Sequence, residues 1–188
     1  MSSLRLVPAD ALRIQAWANG AGTTTVIDSG PDEAHWAWRL SIADIAQDCD
    51  FSSFPGTRRH FVPLDAPLRL RFDAGRELSL LRLSVTCFDG AQAPHALLLD
   101  GPTRAFNLML RGAAEGTLLA RPLNGHMSLP LRAASRWFVH LLGGHAHVQA
   151  DEQRMALTAG SNLWIDATHG GMARIEGGGE LVLVQLAA

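Results

Sequence analysis

The stretch WFVHLLGGHAHVQADEQRMALTAGSNLWID, residues 137–166, decides the fold. It opens with an apolar segment, Trp137–Leu142, which stops at Gly143-Gly144. A second segment, His145–Gln149, stops at the polar pair Asp151-Glu152. A third, Arg154–Leu157, stops at Ala159-Gly160, and a fourth, Ser161–Ile165, closes the run. Each segment is too short for an amphipathic helix, and turn-forming residues separate them, so the pattern is one of short β-strands. Working outward, the same reading gives strands at Leu12–Trp17, Trp36–Ala43, His60–Pro63, Leu68–Phe72, Leu78–Leu83 and Ala96–Leu99. It continues with Ala105–Leu110, Thr117–Leu119, Met172–Ile175 and Leu181–Leu186. Pro8–Leu12 reads as one helical turn, and no longer helix is predicted. Strands this short and regular predict an all-β sandwich or barrel.

Composition bounds the chemistry. The 188 residues are 47% apolar and 18% charged, which suits a packed core and excludes a disordered polyelectrolyte. All sixteen basic residues are arginine, and tyrosine is absent. Schiff-base and P-loop lysines, serine–lysine dyads and tyrosine acids are thereby excluded. Net charge is −2 without a basic stripe, so nucleic acid is not an expected partner. No apolar run reaches membrane-spanning length and the first residues carry no signal pattern, so a cytoplasmic protein is expected, with no membrane partner. The two cysteines, Cys49 and Cys87, have no metal spacing and are expected as reduced thiols.

The strand–Gly–strand–turn–strand–Gly–strand order of the opening stretch resembles the second half of a cupin barrel. Leu68–Phe72, Gly75 and Leu78–Leu83 form a looser version of the same layout, and two such units would make a bicupin. The best seam is Arg111–Gly116, giving an N-terminal half over residues 1–110 and a C-terminal half over 111–188. A metal-binding cupin needs His-x-His, then Glu, then a further His. His145-Ala146-His147 with Glu152 looks similar but follows the glycine turn instead of preceding it, Glu152 falls in the next turn, and His169 comes two positions early. No metal ligands, no cofactor and no catalytic residues are therefore assigned.

The N-terminal half carries the candidate ligand contacts. Trp17–Thr25 is a Gly-rich segment in which Asn19 and Thr23 could meet a ligand beside exposed backbone N–H groups. In Trp36–Ala43, alternation puts Arg39, Ser41 and Ala43 on one face and Trp38, Leu40 and Ile42 on the other. A guanidinium turned into a barrel would suit a carboxylate. Phe51–Arg59 is a turn flanked by aromatics, ending on Arg59. In Phe106–Met109, Asn107 and Met109 share a face, and a buried asparagine needs partners. The assigned ligand-binding residues are Asn19, Thr23, Arg39, Ser41, Arg59, Asn107 and Met109.

Five motifs stand in order: W-x-N-G-x-G-x-T at Trp17–Thr24, W-R-x-S-I-A-x-I at Trp38–Ile45, F-S-x-F-P-G-x-x-R at Phe51–Arg59, D-G-P at Asp100–Pro102 and F-N-x-M at Phe106–Met109. Together they resemble the HutD/Ves family over essentially the whole chain. That resemblance implies an RmlC-like bicupin, often metal-free, encoded beside bacterial histidine-utilisation genes. It also implies a governor of histidine breakdown that senses a small acidic metabolite, urocanate or formylated glutamate, and not an established enzyme. The chain departs from the family pattern at Thr25, Ala91, Ala105 and Gly112, where charged residues are usual. Two other functions compete: a metal-dependent cupin isomerase or dioxygenase using His145, His147 and Glu152, and a homodimeric interaction protein without a ligand.

Overall fold

The computed structural model describes residues 1–17 and 20–187. In chain order its strands are β1 (Ser3–Leu6), β2 (Arg13–Ala16), β3 (Gly22–Gly30), β4 (Trp38–Ile45), β5 (Cys49–Asp50), β6 (Thr57–Pro63), β7 (Leu68–Arg71) and β8 (Glu77–Leu80). They continue as β9 (Thr86–Asp89), β10 (His95–Leu98), β11 (Thr103–Arg111), β12 (Gly116–Leu131), β13 (Arg136–Ala150), β14 (Gln153–Thr158), β15 (Asn162–Asp166) and β16 (Gly171–Leu186). The only helix among the described residues is 3-10, at Ala9–Ala11 and Asp73–Gly75. The first of these lies within the expected turn at Pro8–Leu12.

The sequence reading omits β1, β5 and β9 and splits β13 and β16 in two, and two further differences have clear physical reasons. The segment read as a Gly-rich loop becomes β3, because Thr23, Thr24, Thr25, Val26 and Ile27 are β-branched and fit a pleated sheet. The strand read at Thr117–Leu119 extends to Leu131 despite Pro122 and Pro130. β12 is the terminal strand of its sheet and pairs only with β16, so prolines that cannot donate to a ladder are tolerated there.

The chain divides into two compact units, Asp10–Ala114 and Met1–Ala9 with Glu115–Ala188. Residues 1–9, placed in the N-terminal half by sequence order, thus belong with the C-terminal unit. β1 pairs with β15, and the backbone N–H groups of Ser2 and Leu4 donate to Asp151 Oδ2 and Gln153 Oε1 at 2.6 and 2.7 Å.

In the Asp10–Ala114 unit, a six-stranded sheet (β2-β3-β4-β11-β6-β9) and a four-stranded sheet (β5-β10-β7-β8) share a core. Ala43, Ala105, Phe61 and Phe88 of the larger sheet pack with Leu68, Leu70, Phe72 and Ala96. The reverse face of the larger sheet carries Leu40, Phe106, Leu108 and Val62, which are also buried.

The other unit is one sheet, β1-β15-β13-β16-β12, with β14 also paired to β13. Its interior is filled by aliphatic side chains, among them Leu123, Val139, Leu141, Val148, Leu163, Ile175, Leu181 and Leu183. The register between β13 and β16 slips at Leu141/Gly143, where Gly143 faces Glu180, Gly144 faces Gly179, and Gly178 and Gly177 face His145 and Ala146. A Cβ on Gly144 would strike the Gly178 carbonyl oxygen, and one on Gly179 would strike that of Gly143. Only glycine permits this approach of the two strands.

Candidate functional site

Cross-strand register assembles the site in rows on the core face of the six-stranded sheet. In one row Arg39 of β4 faces Met109 of β11, which faces Arg59 of β6, which faces Phe88 of β9. In the next, Ser41 faces Asn107, and Asn107 faces Phe61. A third row runs Gln15, Thr24, Ala43 and Ala105. Side chains directly opposite in antiparallel strands share a face, so these residues converge although they are scattered through the chain.

The rows line a cavity of about 250 Å³, whose other walls include Trp17, Phe51, Ser52 and Phe54. Arg39, Ser41, Arg59, Asn107 and Met109, assigned from sequence, all line it. Thr23 does not. It lies on the reverse face, where its hydroxyl donates to Asp44 Oδ2 at 3.2 Å, and its neighbour Thr24 lines the cavity instead. A one-residue step along a strand exchanges faces, and reading this segment as a loop concealed the parity. Asn19 lies outside the described residues.

Arg59 dominates the chemistry. Its side chain is buried, at 6% exposure, and its Nε donates to Asn107 Oδ1 at 2.8 Å. Asn107 is fixed in turn by donating from Nδ2 to the Ala105 carbonyl oxygen at 3.2 Å, which leaves its oxygen aimed at the guanidinium. The guanidinium carbon lies 4.7 Å from the Phe51 ring centre, 5.5 Å from Phe88 and 5.7 Å from Phe61. Cation–π contacts of this kind contribute roughly 0.5–2 kcal/mol each and spare the charge only part of its desolvation. Burial, followed by the charge of Arg39, pushes the Arg59 pKa down to about 9. It is still a cation at neutral pH, and among the described residues no carboxylate pairs with it.

Arg39 is half-buried, and its Nη2 donates to Gln15 Oε1 at 3.0 Å. Burial lowers its pKa first, the positive charges of Arg13 and Arg111 lower it further, and Glu33 opposes them. The cavity therefore holds two guanidinium groups whose hydrogen-bond partners are neutral amides. Its described lining contains no His, Cys, Asp or Glu.

Gln15, Trp17, Thr24 and Ser52 are cavity walls that the sequence does not single out, and the flanking aromatics Phe51 and Phe54 also line the cavity, with Phe51 packed in the core as well. The indole Nε1 of Trp17 donates to Thr24 Oγ1 at 2.7 Å, and Trp17 meets Phe51 edge-on at 6.2 Å. The β-branched run Thr23–Ile27 was the available signal for Thr24. Of the family departures, Thr25 lies on the reverse face, Ala91 and Gly112 lie in turns, and Ala105 packs in the core.

His145 and His147 are exposed, while Ala146 between them points into the aliphatic interior. Glu152 lies in the turn after β13. The three therefore do not converge inside a barrel, and among the described residues no group of three His, Cys, Asp or Glu side chains is placed to hold a metal ion.

Comparison with known proteins places this geometry in a family. A conserved protein of unknown function from Pseudomonas aeruginosa PAO1 superimposes with a TM-score of 0.88 at 26% identity, covering 99% of this chain and all of that one. HutD from Pseudomonas fluorescens SBW25 gives 0.82 at 24% identity, covering 98% of each chain. A cupin 2 conserved barrel domain protein from Leptotrichia buccalis, 11% identical, gives 0.56 over 88% of each chain, so the fold is a cupin fold. An uncharacterized 21.2 kDa protein in the hutC 3' region of Pseudomonas putida is 38% identical over 112 residues, 58% of this chain. The chain spans little more than half the length of the curated relatives it matches, 59% for that protein. The HutD family profile matches residues 9–183, from the turn before β2 into the last strand, and the chain belongs to the HutD family.

Proposed function

We propose that this protein is a non-catalytic binder of a small carboxylate, acting as a governor of histidine utilisation that senses urocanate or formylated glutamate. The observation that carries this reading is the buried Arg59 guanidinium, held by one neutral amide and three aromatic rings. Desolvating a cation without an opposite charge is unfavourable, and a carboxylate entering the cavity would offset that cost through charge-assisted hydrogen bonds. Arg39, across the same row, supplies a second fork, and Ser41 and Thr24 supply neutral donors. The described lining holds no His, Cys, Asp or Glu, the usual general acids and bases, which supports binding over turnover. Family membership links the chain to proteins named for histidine utilisation, whose intermediates are carboxylates.

Thermal unfolding tests the reading. Urocanate or N-formylglutamate is expected to raise the melting temperature, and Arg39→Ala is expected to abolish the shift. Ligand at a hundredfold its Kd would stabilise the fold by about 2.7 kcal/mol. If a panel of the pathway's carboxylates leaves the melting curve unmoved, the reading fails.

A further inference from the structure

A smaller cavity of about 120 Å³ adjoins the first, and the two share Gln15 and Arg39. The second is also lined by Arg13, Ser29, Glu33 and Trp36. Glu33 is the only acidic residue in the described lining of either cavity, and its charge acts on Arg39, which makes it an internal competitor for that guanidinium. It does not take that role. Its Oε2 accepts from Arg13 Nη1 at 2.6 Å, while Arg39 bonds the neutral Gln15.

Local structure explains the choice. Arg13 on β2 faces Val26 of β3, and Val26 faces Ser41 of β4, so Arg13 stands on the same sheet face as Arg39, one row away. Glu33 sits in the loop after β3, where Asp32 Oδ1 accepts from the backbone N–H groups of Ala34 and His35 at 2.9 and 2.7 Å. This Asx-type turn presents the next side chain, Glu33, towards β2.

We propose that Arg13 is a positioning residue that holds the Glu33 carboxylate away from Arg39 and so keeps the Arg39 guanidinium available to a ligand carboxylate. The inference rests on the carboxylate-binding reading of the larger cavity. Without Arg13, Glu33 would be tethered beside Arg39 at an effective concentration in the millimolar range or above, and would compete with ligand. Glu33 already acts on Arg39 at a distance, opposing the like charges of Arg13 and Arg111.

A double-mutant cycle read by titration of urocanate and N-formylglutamate tests this. Both side chains of the pair are substantially exposed, at 43% and 61%, so the variants are expected to melt as the parent does without ligand. Arg13→Ala is expected to weaken binding about fivefold, the scale of one exposed charge contact. Glu33→Gln alone is expected to leave affinity within about twofold, because its charge is already engaged. The double variant should return to within about twofold of the parent, and Arg13→Lys should bind like the parent. A Glu33→Gln effect of equal size in both backgrounds would reduce Arg13 to a simple positive charge and overturn the inference while leaving the carboxylate reading intact. A parent protein that binds neither carboxylate would overturn both.

Discussion

At the scale of single residues, Arg59 links stability and binding with opposite signs. Its pKa lies at about 9 in the folded chain because burial and Arg39 penalise the charge. Between that value and the ordinary arginine range, the unfolded chain holds more protons than the folded one, so this group's contribution to stability rises with pH. Anion binding runs the other way, since it requires the protonated guanidinium. The affinity for N-formylglutamate is therefore expected to be level from pH 7 to 8, then to fall about tenfold for each unit above about 9. Isothermal titration across this range reads it directly, and a flat profile to pH 10.5 would show either that the guanidinium keeps its proton there or that it does not hold the anion. Asn107 shows how a neutral residue sets such behaviour. It satisfies Nε of Arg59 without neutralising the charge, so the remaining guanidinium nitrogens stay open to a ligand.

At the scale of strands, register does what no single residue can. Thr23 and Thr24 have one side chain chemistry, yet only Thr24 reaches the cavity, because one step along β3 reverses the face. The same parity was visible in β4, where Arg39, Ser41 and Ala43 were grouped from sequence alone. The direction of that group was not visible. Leu40 and Ser41 are both buried, as are Phe106 and Asn107 next to them, so the alternation of apolar and polar residues that marks an outer face is weak. In the C-terminal unit, strand contact depends on glycine at particular places. Gly179 has a φ of 142°, and its Cβ would collide with the Gly143 carbonyl oxygen, whereas the nearest atom to a Cβ on Gly178 is the Leu123 oxygen at 4.0 Å. Gly179→Ala is expected to destabilise by more than about 2 kcal/mol, and Gly178→Ala by less than about 1 kcal/mol. Denaturant midpoints of the two variants separate these outcomes, and equal losses would show that the strands move apart at little cost.

At the scale of the molecule, two β units have taken on unlike interiors. The Asp10–Ala114 unit keeps a polar cavity bearing two arginines on its core face, and the other unit fills its interior with leucine, isoleucine and valine. Ligand contact is therefore expected in one unit alone. Hydrogen exchange with saturating urocanate should slow the amides of β4, β6 and β11 that exchange through local opening, and leave those of β13 and β16 unchanged. Protection centred on β13 and β16 would place the ligand elsewhere. The exposed His145 and His147 carry the same lesson. Their His-x-His pattern looks like a cupin metal pair, but they follow the glycine turn, and their strand turns Ala146 inward and leaves both imidazoles outside.

The sequence by itself determined the all-β character, the absence of lysine and tyrosine chemistry, the family, and five of the residues that meet in the cavity. Those properties are local: strand length, turn residues, alternation and motif order are all written along the chain. The tertiary structure alone decided that Arg39 and Arg59 turn inward with no carboxylate partner among the described residues, that Thr24 replaces Thr23, and that residues 1–9 complete the C-terminal unit. These depend on which strands pair and in what register, and on what covers each face. Such facts arise between segments far apart in sequence, where burial and hydrogen-bond satisfaction select one pairing from many that local preference permits.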